Sequence, residues 1–261
     1  MATIVANLQA VRARIERAAG AAGRPAGEIK LLAVSKTVAV SRIYEAYCAG
    51  QHAFGENYAQ EGVEKITQLA SLLLSQPPGH ASNGTASIPP RAPDPSTGAA
   101  AAEHATTPRV EWHFIGPIQS NKTRTIATHF QWVHSIEREK VALRLNEARP
   151  SGLPPLDVCI EINVSGESSK SGVVPGEEVL LAEAISRLPR LRLRGLMAIP
   201  EPTSDEALQH RRFALLRELK DKLIARGYAL DTLSMGMSDD FEASITEGAT
   251  IVRIEIGRAH V

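Results

Sequence analysis

Cysteine is nearly absent: Cys48 and Cys159 are the only two in 261 residues, far apart and in no metal-like spacing. That excludes a disulfide framework and fits a reducing compartment. Net charge is absent as well, with 29 basic residues against 29 acidic ones. Neither nucleic acid nor an anionic membrane is therefore expected as a partner, and any anion site must be built locally from a few donors. The eight histidines form no HxxxH or HExxH pattern, so no metal site is expected. No apolar run approaches the ~18 residues of a membrane span. The first residues lack the apolar core of a secretory signal and read as an amphipathic helix. The cytosol is the default compartment, with a mitochondrial location as the alternative. No G-x-G-x-x-G follows the first strand, which argues against dinucleotide binding.

What the chain does have is alternation. Ile4, Leu8, Val11 and Ile15 recur at helical spacing and predict a first helix. Lys30-Leu-Leu-Ala-Val-Ser-Lys36 is a short apolar run of the buried-strand type. Ser41 is placed to cap a helix over 42–48. Further strands are expected at 52–55, 112–116, 131–136, 157–164, 193–199, 231–235 and 250–254. Helices fit between them, at 58–74, 120–128, 138–147, 177–188, 205–226 and 239–247. About eight strands in strict alternation argue for one (β/α)8 TIM-like barrel over an open sheet. Residues 76–109 differ in kind, being rich in Pro, Gly, Ser, Thr and Ala and almost free of large apolar residues. They are read as a disordered loop insertion within a single domain spanning 1–254.

In such barrels functional groups sit at the C-terminal ends of the strands. Lys36 ends the first strand, where partial desolvation lowers a lysine's pKa and frees the amine to attack an aldehyde. A lysine that merely snorkels to solvent is the commoner use of such a position. The run Ser234-Met-Gly-Met-Ser238-Asp-Asp is a glycine-containing turn entering a helix, with Ser238 as its expected N-cap. It suits a phosphate, or else Asp239 and Asp240 simply complement the helix dipole. Arg253 interrupts an apolar strand and must meet a partner. Either Glu161 pairs with it, or it contacts a cofactor.

Six ordered motifs resemble the PLP (pyridoxal 5′-phosphate) homeostasis protein family. They are Lys30-Leu-Leu-Ala-Val-Ser-Lys-Thr37, Phe54-Gly-Glu-Asn-Tyr-Ala-Gln-Glu61, Trp112-His-Phe-Ile-Gly-Pro-Ile-Gln-Ser-Asn-Lys122, Ser168-Ser-Lys-Ser-Gly172, Gly195-Leu-Met-Ala-Ile-Pro200 and Leu233-Ser-Met-Gly-Met-Ser-Asp-Asp-Phe-Glu242. Members of that family are similar to the N-terminal barrel of alanine racemase. The resemblance implies a fold-type III PLP barrel, with Lys36 holding the cofactor as a Schiff base. It implies that Ser238 binds the phosphate, that Arg253 faces the pyridine nitrogen, and that Asn57 and Met235 lie in motifs lining the pocket. It further implies a carrier or regulator of PLP supply without robust catalytic activity, with PLP-dependent apo-enzymes as candidate partners. The alternative is a fold-type III amino-acid racemase, which needs a second base opposite Lys36; the sequence offers none. The family continues after the arginine with Ile-Gly-Thr and a closing helix. Here Ile254 is followed by Glu255-Ile-Gly-Arg-Ala-His-Val261, which reads as translated sequencing adapter after one leftover guanine. Residues 255–261 are thus expected to be a non-native tail, with glycine natural at 255. The last barrel helix is expected to be missing and the outer face of the last strand uncovered.

Overall fold

The computed structural model describes residues 3–75, 109–167 and 171–256. The segment read as an insertion, 76–109, lies outside them except for Arg109. Residues 168–170 of the Ser-Ser-Lys-Ser-Gly motif and 257–261 of the tail lie outside them too.

The strands are β1 (Lys30–Val34), β2 (Ala53–Glu56), β3 (Glu111–Phe114), β4 (Trp132–Ile136), β5 (Leu156–Glu161), β6 (Leu191–Met197), β7 (Thr232–Ser234) and β8 (Ile251–Glu255). They close in sequence order into one parallel barrel. The last seam sets Leu32 opposite Arg253 and Val34 opposite Glu255. The helices are α1 (Ile4–Ala21), α2 (Val40–Cys48), α3 (Ala59–Ser75), α4 (Thr123–His129), α5 (Glu139–Ala148), α6 (Glu178–Ser186), α7 (Glu206–Ala225) and α8 (Phe241–Thr246). The expected barrel is therefore present, with element ends displaced by a few residues. No described helix is long and apolar enough to cross a membrane.

Side chains on a strand alternate between its faces, and the strands obey this closely. Trp112, Phe114, Val133, Val158, Ile160, Leu233, Val252 and Ile254 join the helices in one large core between the two layers. Their neighbours face the barrel interior. One apolar patch there comprises Leu32, Val34, Ala53, Ile115 and Ile251; another comprises Trp132, Cys159 and Met197. His113, His134, Ser234 and Arg253 share the interior with them, all buried.

Three local expectations are corrected. Ser41 does not cap α2; Ala39 occupies that position and makes no side-chain bond. Ser238 is not the N-cap of α8, because the turn runs on to Asp240. The outer face of β8 is covered, not bare: Ile254 is 1% and Ile256 4% exposed. The cover is α1, which packs against both α2 and α8. It sets Leu8 and Val11 beside Leu31, Ile254 and Ile256. Thr3 caps α1 by accepting from the Ala6 amide at 3.2 Å. The apolar stripe Ile4, Leu8, Val11, Ile15 and Ala19 faces inward. A helix preceding the first strand thus fills the place that the alternation assigns to one following the last.

Candidate active site at the barrel mouth

Lys36 lies two residues beyond β1 and keeps that strand's inward parity. The turn that carries it is held from behind by a buried charge cluster. Lys65, on α3, donates to the Ser35 carbonyl at 2.5 Å, to Glu56 Oε1 at 2.9 Å and to Glu61 Oε1 at 2.6 Å. The Ser35 hydroxyl donates to Glu56 Oε1 at 2.6 Å. The Thr37 amide donates to Glu61 Oε1 at 2.6 Å. Burial pushes the Glu56 carboxyl above the usual carboxylate range, with the bonds from Ser35 and Lys65 opposing it. Burial acts on Glu61 in the same direction, but there the bonds from Lys65 and Thr37 win and its pKa is lowered. Thr37 sits at φ 60°, a left-handed conformation that a β-branched residue adopts only under constraint. The clamp on its amide and on the Ser35 carbonyl supplies that constraint, so the backbone on both sides of Lys36 is fixed.

The Lys36 amine is not idle. Its Nζ lies 2.9 Å from Glu255 Oε1, at the end of β8. The two residues line a cavity of about 330 Å³ together with Val34, Thr37, Val38, Ala39 and Arg42. Asn57 stands at the end of β2, its Oδ1 buried and without a hydrogen-bond partner. Gly116 makes room for it, since a Cβ there would meet the Asn57 carbonyl oxygen at 2.2 Å.

Arg253 is buried, and its NH1 donates to the Ser234 carbonyl at 2.7 Å and to Ser234 Oγ at 2.8 Å. Its NH2 donates to the Ala198 carbonyl at 2.8 Å. The acceptors are neutral oxygens, so an ion pair, for which Glu161 was one candidate beside the cofactor contact, is not what satisfies it. Burial lowers the guanidinium pKa to about 10, with Asp240 and Glu161 pulling the other way; the group stays charged at neutral pH. Its Nε–H has no acceptor among the described residues.

The turn after β7 continues along β8, with the Met235 amide donating to the Ile251 carbonyl and the Arg253 amide to the Gly236 carbonyl. Gly236 takes φ 92°, and a Cβ there would fall 2.0 Å from Ser244 Oγ. Asp240 Oδ1 accepts from the Met237 amide at 2.6 Å and pins the turn. Ser238 is half-buried in that turn. The Met235 side chain packs in the main core, so only its backbone is left to shape the pocket.

The structure therefore places Lys36, Asn57 and Ser238 just beyond the ends of β1, β2 and β7, with Arg253 in the middle of β8 and buried in the barrel interior. The lysine offers an amine, Asn57 an unsatisfied amide oxygen and Arg253 an unspent donor. The amine suits an aldehyde and the guanidinium an aromatic ring nitrogen that accepts a hydrogen bond, while the Asn57 oxygen offers an acceptor. Sequence reasoning missed Lys65, the two buried histidines and the Glu255 contact with Lys36. The charge-patterned motif Glu56 to Glu61, followed four residues later by Lys65, was the available signal for the clamp.

The alanine racemase N-terminal domain model matches residues 6–256. The pyridoxal phosphate homeostasis protein of Pseudomonas aeruginosa is 53% identical over 254 residues, covering 97% of this chain and 94% of that protein. That of Escherichia coli K12 is 47% identical over 257 residues, with the same coverage. Among solved structures, an unknown protein from Bifidobacterium adolescentis superposes with a TM-score of 0.81 at 31% identity, covering 97% of this chain and 92% of that one. PipY of Synechococcus elongatus, solved with PLP bound, gives 0.69 at 29% identity over 92% of this chain and 97% of that one. Alanine racemase of Clostridium difficile shares the fold, with a TM-score of 0.63 at 16% identity; 96% of this chain matches 55% of it. The chain belongs to the pyridoxal phosphate homeostasis protein family, built on the alanine racemase N-terminal barrel.

Proposed function

We propose that this protein binds pyridoxal 5′-phosphate through Lys36 as a Schiff base and serves PLP homeostasis in the cytoplasm. The observation that carries the reading is the pairing of two features across the β1–β8 seam. A fixed lysine stands at the barrel mouth, and a buried arginine keeps an Nε–H without a protein acceptor. Arg253 supplies a donor for the pyridine nitrogen, Ser238 a hydroxyl for the phosphate and Asn57 an amide beside Lys36. The backbone at Met235 shapes the wall between them.

When bound, the cofactor supplies an electron-withdrawing ring. A guanidinium cannot hand that ring a proton, which leaves its electron sink weak. A racemase would also need a second base opposite Lys36, and the sequence offers none, so the reading is a carrier, with PLP-dependent apo-enzymes as the receivers that such a role requires. The test is a visible spectrum of the purified protein with PLP, followed by borohydride reduction and peptide mapping. The expected result is a visible band and a phosphopyridoxyl group on Lys36. A label on Lys122 or Lys170 would overturn the assignment, and turnover of alanine enantiomers at enzymatic rates would overturn the carrier reading.

A further inference from the structure

Two imidazoles stand inside the barrel, where the proposed function gives them no role. His113 and His134 are both 0% exposed. They belong to an unbroken chain of contacts. Glu111 Oε1 accepts from Lys30 Nζ at 2.6 Å and lies 2.6 Å from His113 Nε2. His113 Nδ1 lies 2.8 Å from His134 Nε2. His134 Nδ1 lies 2.7 Å from Ser234 Oγ, a contact that crosses the barrel from β4 to β7. Ser234 Oγ accepts from Arg253 NH1 at 2.8 Å.

The proton positions follow from the two ends. Burial raises the pKa of Glu111, but its hydrogen bonds, that from Lys30 at 2.6 Å among them, outweigh burial and lower it, so Glu111 is a carboxylate and only accepts. His113 must then carry its proton on Nε2. Burial keeps His113 neutral, so its Nδ1 accepts. His134 therefore donates from Nε2 and, being neutral through the same burial, accepts at Nδ1. That forces the Ser234 hydroxyl to donate to His134, which turns its lone pairs toward Arg253. Every hydrogen in the chain points the same way, from the arginine to Glu111. Trp132 stacks on His113 at 5.3 Å with 12° between the rings and fixes the plane of that imidazole.

We propose that His113, His134 and Ser234 are positioning residues for Arg253, a one-way hydrogen-bond relay that fixes the direction in which the guanidinium offers its Nε–H to the cofactor ring. Without the relay the Ser234 hydroxyl could turn its own hydrogen toward Arg253 and displace it. With the relay that rotamer is closed. The inference rests on the PLP reading of the site.

Two measurements test it. In the apoprotein, long-range ¹H–¹⁵N spectra at pH 7 should show both imidazoles neutral and protonated on Nε2. An Nδ1–H tautomer or an imidazolium at either position overturns the relay, whatever the protein binds. In the full chain loaded with PLP ¹⁵N-labelled at the ring nitrogen, His134→Leu and Ser234→Ala should each weaken binding about tenfold and move the ring-nitrogen shift. A tenfold change is the worth of one ordinary hydrogen bond. His134→Asn, whose Oδ1 can take the place of Nδ1 as acceptor for Ser234, should restore both to near the unaltered values. A polar network that merely filled the core would leave the ring-nitrogen shift of His134→Leu unmoved, and that result overturns the proposal. If the unaltered chain forms no adduct on Lys36, the PLP reading fails, and the tautomers alone decide whether the relay exists.

Discussion

Glu255 stands opposite Val34 in the β8–β1 register and reaches the Lys36 amine at 2.9 Å. An amine engaged with a carboxylate must leave that pair before it can attack an aldehyde, and the same carboxylate repels an arriving phosphate. With Lys36 about a third exposed, the pair itself is worth only about 1 kcal/mol; the repulsion adds to it. Glu255→Gly is expected to tighten PLP binding by roughly tenfold in an absorbance titration. Glu255→Gln separates charge from bulk and should recover most of the gain. Equal affinities across the three proteins would remove Glu255 from the argument. Glu161 offers a second test at this scale. Burial, then the neighbouring Glu137, raises its pKa to about 7 against the opposing pull of Arg253. A carboxyl whose folded pKa is raised favours the folded state while protonated. That contribution is whole below its unfolded value near 4.5 and is lost as pH rises through 7. At pH 8 the ionised group costs on the order of 3 kcal/mol. Glu161→Gln should therefore match the parent near pH 4.5 and exceed it increasingly up to pH 8 in urea denaturation. Parallel pH profiles would refute this. Lys36 and Arg253 stood out as candidates in the sequence because the one ends an apolar strand run and the other interrupts one. His113 and His134 were not, since a histidine at an inward strand position looks the same whether bonded in a relay or simply packed.

The order of strands and helices was legible throughout, because hydrophobic period changes are strong signals over five or more residues. What failed was local and has physical causes. Caps were misplaced because turn geometry moved the helix starts, to Val40 at α2 and to Phe241 at α8. The cover over β8 was missed because helices were matched to the strand before them, while α1 precedes every strand and still docks at the seam. The turn between β1 and α2 is the element most dependent on contacts from elsewhere. Its anchor is Lys65, whose side chain is 7% exposed, against Glu56 at 0%. Deleting one partner of a buried pair leaves the other charge stranded, at a cost of about 3–5 kcal/mol. Lys65→Met is expected to lose that much stability in urea, and to slow reductive labelling of Lys36 by freeing Thr37 from its left-handed conformation. Adding Glu56→Gln should return part of the stability, because it removes the stranded charge. A Lys65→Met protein as stable as the parent would show that the clamp is ornamental to the fold.

Across the whole molecule, the two ends of the barrel divide the labour. The strand C-termini carry Lys36, Asn57 and the turn with Ser238, while the opposite end carries the helix-to-strand connections. The connection from α3 to β3 belongs to that opposite end, and residues 76–109 fall within it. We propose that this segment is an insertion the barrel tolerates. β2 and β3 pair directly, Ala53 with Glu111 through Glu56 with Phe114, so the ladder closes using described residues alone. The described residues also build one large core between the helices and the barrel, with two smaller apolar patches inside it. A composition of Pro, Gly, Ser, Thr and Ala cannot add much burial to offset the entropy of ordering it. Replacing 76–108 with a turn of about five residues shortens a loop that must be closed on folding. Closure entropy changes only logarithmically with length, so the gain is about 1–2 kcal/mol. The shortened protein should therefore be at least as stable as the parent and should bind PLP with unchanged affinity, because the flanks, Ser75 closing α3 and Arg109 preceding β3, belong to the end of the barrel away from Lys36. The measurements are a thermal melt and a PLP titration on both chains. A loss of soluble protein or of stability would mean that the segment contributes to the core. An intact melt with weakened PLP binding would mean instead that it reaches the mouth of the barrel and belongs to the site.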